Sequence, residues 1–316
     1  MKVTEPPPFV QGSVSIINHF CYSSGVIVIG NTGFNLPRDL AARLGIVLTE
    51  QALIVDGKSY GMDDITLHEL DSIFKTSKTY PYPAHPSAAQ FVSTLTPILS
   101  RDPDLLVVAA SRRLTGAYDA AISAARTLVQ HPSFRHANIR VVDSGSIEIG
   151  AGLLAVRCAA AIKAGAANAD VMDMCKPMVT NSYCAVIPDT LDATRNSGRM
   201  AFLKSLAADF LNVLPVLHIS EGEVKSAKTV SRNSDKASSL MDVLVGRFGA
   251  GKKVWVAITH GAVPTQAHDL EQKVRAVFNV KYLINRAASP ALYAMLGRGH
   301  LFVTMVPVDD RYSDPP

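Results

Sequence analysis

The sequence predicts a two-domain α/β fold, and three observations carry that expectation. From Val26 onward, short apolar runs alternate with stretches of helical spacing, as in VIVIG, LPRDLAARLG, DLLVVAAS and SIEIGAGLLAVRCAAAIKAG. Buried strands alternating with helices build a mainly parallel sheet covered on both faces. The second half instead has two consecutive extended pieces, VLPVLHIS and KTVSR, on either side of a turn at EGEV, the pattern of antiparallel pairing in a mixed sheet. Finally, 316 residues, 48% of them hydrophobic and 18% charged, are long for one core and comfortable for two.

The elements follow in order. VIVIG reads as a strand, GNTG as a turn, and LPRDLAARLG as a helix stopped by its glycine. IVLTEQALIV reads as extended chain closing in the turn DGKSYG, and TLHELDSIFK as a helix. The three prolines of TSKTYPYPAHPS argue against regular structure there, and SAAQFVSTLTPIL resumes helical spacing. DLLVVAAS and IRVVDSG are strands, each leading into a helix. Past Gly165 the pattern changes: AANADVMDMCKPMV is a separate helix and YCAVIPD opens a new set of strands. The expected division is an N-terminal extension over 1–25, containing Pro6 to Pro8, an α/β domain over 26–165 and a mixed α/β domain over 166–316. Helices are expected over Ser234 to Phe248, over Gln266 to Phe278 and near SPALYAML, with strands at KKVWVAITHG, KYLIN and HLFVTMVPV.

Composition excludes several classes. A formal net charge of +4 with no block of five basic residues gives no footprint for nucleic acid. The run VSIINHFCYSSGVIVIG is broken by Asn18, His19 and serines and falls short of the about 20 apolar residues that a membrane span needs. Cys21, Cys158, Cys175 and Cys184 show neither a CxxC pair nor zinc spacing, and read as reduced thiols of a cytoplasmic protein. No GxSxG, GxxxxGKS or HExxH signature occurs, and the histidine pairs in HPSFRH and HGAVPTQAH lack a carboxylate or thiol at ligand spacing.

In an open α/β sheet, ligands gather beyond the carboxyl ends of the strands. Four such ends are rich in small polar groups: Asn31 and Thr32, Ser111 to Thr115, Asp143 to Ser146, and Thr259 to Gly261. Free N–H groups at helix starts suit a carboxylate or phosphate there, although Ser, Thr, Asn and Asp are also the ordinary N-caps. Spacing alone ranks capping ahead of ligand binding.

Taken together, these turns resemble the DegV family. The likeness rests on SRRLTGAYDAA, DSGSIEIGAG, DTLDATRNSGRM, LPVLHISEGEV with Arg232 downstream, and LGIVLTEQALIVDGKSYG, all in the family's order. The resemblance implies a protein that holds a long-chain fatty acid in a cleft between its domains. It implies no catalysis by the chain alone and no cofactor or metal, the bound acid being presented to a separate fatty-acid kinase. On the same grounds the chain is expected to be a monomer with no stable membrane insertion. A small-molecule enzyme on this scaffold, with His85 or His300 as acid or base, and a descendant that has lost its ligand stay open as alternatives.

Carried over by position, the resemblance places the head group at Ser111, Arg112, Thr115, Gly116, Asn31, Thr32, His85 and Ser87. Arg199, Arg232, Arg298 and His300 would lie at the mouth or meet a partner. Three departures fall in this set. Pro83 in PAHPS stands where the family has a threonine, GNT replaces TDS, and Met295 stands where the family has a histidine, with Arg298 and His300 nearby. An inward Arg112 could compensate, since a guanidinium binds a carboxylate bidentately.

Overall fold

The computed structural model describes residues 25–197, 213–220 and 222–308. The expected N-terminal extension therefore lies outside the described residues. So does Arg199.

A four-stranded sheet, all parallel, holds β1 (Ile27–Asn31), β2 (Val47–Thr49), β6 (Asp104–Ala109) and β7 (Asn138–Asp143) in the order β2-β1-β6-β7. Its side chains alternate between two cores, as the period of a strand requires. Ile27, Ile29, Leu105 and Val107 pack under α3 (Ala88–Leu99) and α4 (Ala117–Gln130). Val26, Val28, Leu106 and Val108 face the other way, with α1 (Arg38–Leu44) and α5 (Glu148–Lys163).

The second sheet has six strands in the order β10-β9-β8-β13-β11-β12. They are β8 (Tyr183–Ile187), β9 (Val213–Ser220), β10 (Glu223–Ser231), β11 (Lys253–His260), β12 (Asn279–Ala287) and β13 (Leu301–Pro307). Only β11 and β12 pair in parallel; the antiparallel β9–β10 hairpin falls where the EGEV turn predicts it. Val254, Val256 and Ile258 join the core beneath α8 (Lys236–Phe248) and α9 (Pro264–Val277), while Trp255 and Ala257 face the core shared with the first sheet.

Between the sheets lies α5. It packs against β1 and β6 of one sheet and β11 and β13 of the other, and it is buried almost continuously from Glu148 to Ala161. A helix that is apolar on nearly every side, apart from Glu148 and Arg157, belongs in such a position. Its glycines let it approach closely: a Cβ at Gly150 would come within 2.2 Å of Ser146 Oγ, and one at Gly152 within 3.1 Å of the Phe34 carbonyl. On its far flank α5 meets α6 (Asn168–Asn181).

Two local expectations are corrected. IVLTEQALIV is not one extended piece: it breaks at Glu50 and Gln51, so β2 joins the parallel sheet while β3 (Ala52–Val55) starts a separate small sheet, ordered β4-β3-β5. There β4 (Lys58–Gly61) returns through Asp56 and Gly57, whose positive φ values of 49° and 77° suit a two-residue hairpin turn. The proline-rich stretch supplies the third strand, β5 (Tyr82–Ala84), with Pro83 opposite Leu53. Pro83 is tolerated because β5 is an edge strand, where a missing N–H costs no ladder bond on the open side. This small sheet and α2 (Leu67–Thr76) pack on Ala291, Tyr293 and Ala294 of α10 (Pro290–Leu296), so the two halves of the chain interlock here as well.

Candidate functional site

A cavity of about 550 Å³ opens where these layers meet. Its apolar wall comes from both halves of the chain: Leu114 and Ile147 from the turns after β6 and β7, Leu217, Ile219 and Val224 from the β9–β10 hairpin, and Leu292, Met295 and Leu296 from α10, with Phe302 of β13. Its polar lining includes Asn31 and Gln51, His85 beside the 112–116 turn, Glu148 with Ser289, Thr194 of α7 (Asp192–Asn196) and His218 of β9.

The 111–116 turn forms because β6 ends at Ala109 and Gly116 caps α4 without a side chain. Gly116 is needed for contact rather than for its φ of −83°: a Cβ here would fall 2.5 Å from His85 Nε2. The imidazole thus lies against the start of α4. Its Nδ1 is 3.0 Å from the Pro86 carbonyl and donates to it, and the ring, on an exposed residue, lines the cavity. Thr115 Oγ1 accepts from the Ala117 N–H at 3.2 Å, which leaves its own proton to donate. Asn31 is 2% exposed, and its Oδ1 has no partner among the described residues. These unspent groups border the cavity together.

Ser111 is placed differently. It is fully buried, its N–H donates to the Ser146 carbonyl at 2.7 Å, and its hydroxyl points to the Gly222 carbonyl at 3.4 Å in the turn of the β9–β10 hairpin. It joins the two halves and is not part of the cavity lining. Arg112 lies outward at the rim. Its guanidinium sits 5.1 Å from the Tyr118 ring centre and 3.6 Å from Asp119, with its side chain 56% exposed. Arg113 pairs with Glu223 across the same rim.

The remaining predicted residues separate from the cavity. Thr32 donates to Glu50 and accepts from the Gln51 N–H, and Ser87 is the N-cap of α3 in a full capping box with Gln90. Arg232 donates to the Asp189 carbonyl, and Arg298 pairs with Asp71 of α2. His300 is fully buried with Nδ1 2.6 Å from the Gly297 carbonyl, and burial pushes its pKa down to about 4, so it is a neutral core group at neutral pH. Gly261 packs so tightly against it that a Cβ would fall 2.5 Å from its Nδ1.

Glu148 is the residue that sequence reasoning missed. It sits at the first position of α5 with a φ of 51° and 5% exposure, and it lines the cavity. Asn35 Nδ2 and the Ser289 N–H donate to Oε1 at 2.8 and 3.1 Å; the Ile149 N–H and Thr259 Oγ1 donate to Oε2. Burial nevertheless raises its pKa to about 7, against these donors and Arg286. An acidic residue in the first turn of a helix ordinarily complements the helix dipole, so nothing in DSGSIEIGAG distinguishes this one. Among the described residues no group of His, Cys, Asp and Glu could hold a metal ion, and no helix is long and apolar enough to cross a membrane.

Comparison with known proteins agrees with this architecture. A DegV domain-containing protein of Deinococcus radiodurans is 25% identical over 254 residues, 77% of this chain and 87% of that protein. One from Clostridium perfringens is 22% identical over 269 residues, covering 84% and 93%. Among solved structures, a DegV family protein from Thermus thermophilus described for its fatty-acid binding superposes with a TM-score of 0.82 at 19% identity, over 90% of this chain and 100% of that one. A stearic-acid-binding protein from Eubacterium ventriosum gives 0.78 at 16%, over 91% and 99%. The model of the DegV family, described as one of uncharacterised proteins, matches residues 26–308, and with that span covered the chain belongs to the DegV family.

Proposed function

We propose that the protein binds a long-chain fatty acid in the cavity between the 26–165 and 166–316 domains and presents its carboxylate to a partner kinase, rather than acting as an enzyme alone. The observation that carries this reading is the cavity itself. It falls within the roughly 300–1,000 Å³ of small-molecule sites and combines an apolar wall with a few unspent polar groups near the end of β1 and the start of α4. Each methylene buried on that wall contributes about 0.8 kcal/mol. Thr115 Oγ1, the Asn31 amide and His85 at the start of α4 supply the head-group contacts, and the partial positive charge of the 14-residue α4 favours the carboxylate. Arg112, Arg113 and Asp119, exposed at the rim, border the face that a kinase would approach.

The test is mass spectrometry of organic extracts from protein purified without added lipid, followed by titration with a labelled C16 or C18 acid. Retention of a fatty acid near one equivalent, displaced by the labelled acid, is the expected result. Protein that carries no amphiphile and does not bind the labelled acid refutes the reading. The kinase step is tested separately, by acyl phosphate formation when a fatty-acid kinase and ATP are added to the loaded protein.

A further inference from the structure

Far from the cavity, α5 and α6 meet through two thiols. Cys158 Sγ and Cys175 Sγ lie 3.3 Å apart, and both residues are buried. A disulfide has an S–S length of about 2.05 Å, so closing the bond needs an approach of roughly 1.3 Å. The two thiols are not equivalent. Cys158 is held well above the usual thiol range by its hydrogen bond to Cys175 and by burial. The thiol of Cys175 is lowered by that same bond, with Arg140 adding to the effect. Arg140 provides a second, independent observation: its Nε and Nη2 are buried with no hydrogen-bond partner among the described residues. Such a guanidinium is available to an anionic sulfur or to the oxygen of a sulfenate.

The local structure also supplies a route of access. Val171, Cys175 and Met178 form the inward stripe of α6, while Asp173, Lys176 and Pro177 face solvent, so one helix separates the pair from water. Pro177 lies inside this helix and has no N–H to give to the Asp173 carbonyl, which weakens the turn carrying Cys175. Local opening of a helix at such a point exposes groups that are buried in the average structure.

We propose that Cys158 and Cys175 are a redox modification site, oxidised by hydroperoxides to an internal disulfide that staples α6 to α5. The Cys175 thiolate attacks the distal oxygen of the hydroperoxide; the O–O bond breaks, and the leaving hydroxide or alkoxide takes up a proton. The resulting Cys175 sulfenic acid is attacked by the Cys158 sulfur. The S–S bond forms, the S–O bond breaks, and hydroxide leaves as water with the Cys158 proton. Two thiols lose two electrons and the peroxide gains them. The third described cysteine, Cys184, meets the hydroxyls of Ser146 and Thr304, pairs no second thiol and is left reduced.

The experiment treats reduced full-length protein with hydrogen peroxide, quenches it, and counts alkylatable thiols after denaturation. The expected count falls from the four of the sequence to two. A peptide linking Cys158 to Cys175 appears with a loss of two hydrogens, and dithiothreitol restores all four thiols. In Cys158→Ser, oxidation is expected to stop at a dimedone-reactive Cys175. A count that stays at four, or oxidation confined to Cys21 or Cys184, or a disulfide between two chains overturns the proposal. Because the wild-type protein gives the primary readout, a variant that fails to fold leaves the test intact.

Discussion

Two turns at the carboxyl ends of neighbouring strands of the same sheet use their polar groups in opposite ways. After β7, the 143–148 turn spends everything internally: Asp143 accepts from the Arg112 and Gly145 N–H groups, Ser144 and Ser146 bond within the loop and to Cys184, and Glu148 takes four donors from both halves of the chain. After β6, the 111–116 turn spends Ser111 on the hairpin opposite but leaves the Thr115 proton unspent, with His85 Nε2 held against Gly116. The first turn is a joint, and the second is the turn proposed to meet a ligand. Buried polar groups are nearly always satisfied, and Asn31 Oδ1, buried without a partner among the described residues, borders the same cavity.

The comparison is broken most severely at Glu148. Glu148→Ala leaves Asn35 Nδ2, Thr259 Oγ1 and two N–H groups without their acceptor, and a loss of about 3 kcal/mol in unfolding free energy is expected, read by urea denaturation. The same residue makes stability depend on pH. Its folded pKa of about 7 lies above the ordinary 4.5, so the folded state binds this proton more tightly than the unfolded one. Its contribution is fully present below pH 4.5 and is lost as pH rises through 7. Denaturation midpoints should therefore fall between pH 5 and pH 8, and Glu148→Gln should flatten that slope.

Filling the cavity tests the site and spares the joint. Leu296→Trp, on the apolar wall, should abolish retention of an acyl chain while changing stability by about 1–3 kcal/mol at most. At the polar end, His85→Ala should weaken binding of a fatty acid by roughly 10- to 100-fold, the worth of one hydrogen bond to a charged group. Gly116→Ala should act in the same direction, since its Cβ displaces the imidazole. Binding unchanged in both variants would move the head group elsewhere in the cavity. The smallest effect is expected at the rim: Arg113→Ala removes an exposed pair with Glu223, and stability should move by less than about 1 kcal/mol.

The layer plan is already legible in the sequence. The unbroken apolar runs Ile27 to Ile29 and Leu105 to Val108 already mark strands buried on both faces, and the largely apolar GAGLLAVRCAAAI already reads as a helix. Such patterns are local, because burial on a given face is written in consecutive residues. The sequence also placed a turn rich in small polar groups between β6 and α4.

The tertiary structure alone decided which polar groups at those turns are spent. Ser111, Arg298 and His300 look as free as Thr115 in the sequence. Yet one is consumed by a carbonyl 111 residues away, one by Asp71 from 227 residues away, and one by burial against Gly261 with its Nδ1 on the Gly297 carbonyl. Pro83 likewise reads as a breaker until β3 gives it an edge to occupy. Glu148 reads as a helix-dipole charge until Ser289 and Thr259 converge on it. Each outcome depends on a partner far along the chain. Composition and spacing fix which groups a segment offers, whereas only the packed layers fix which of those offers are taken.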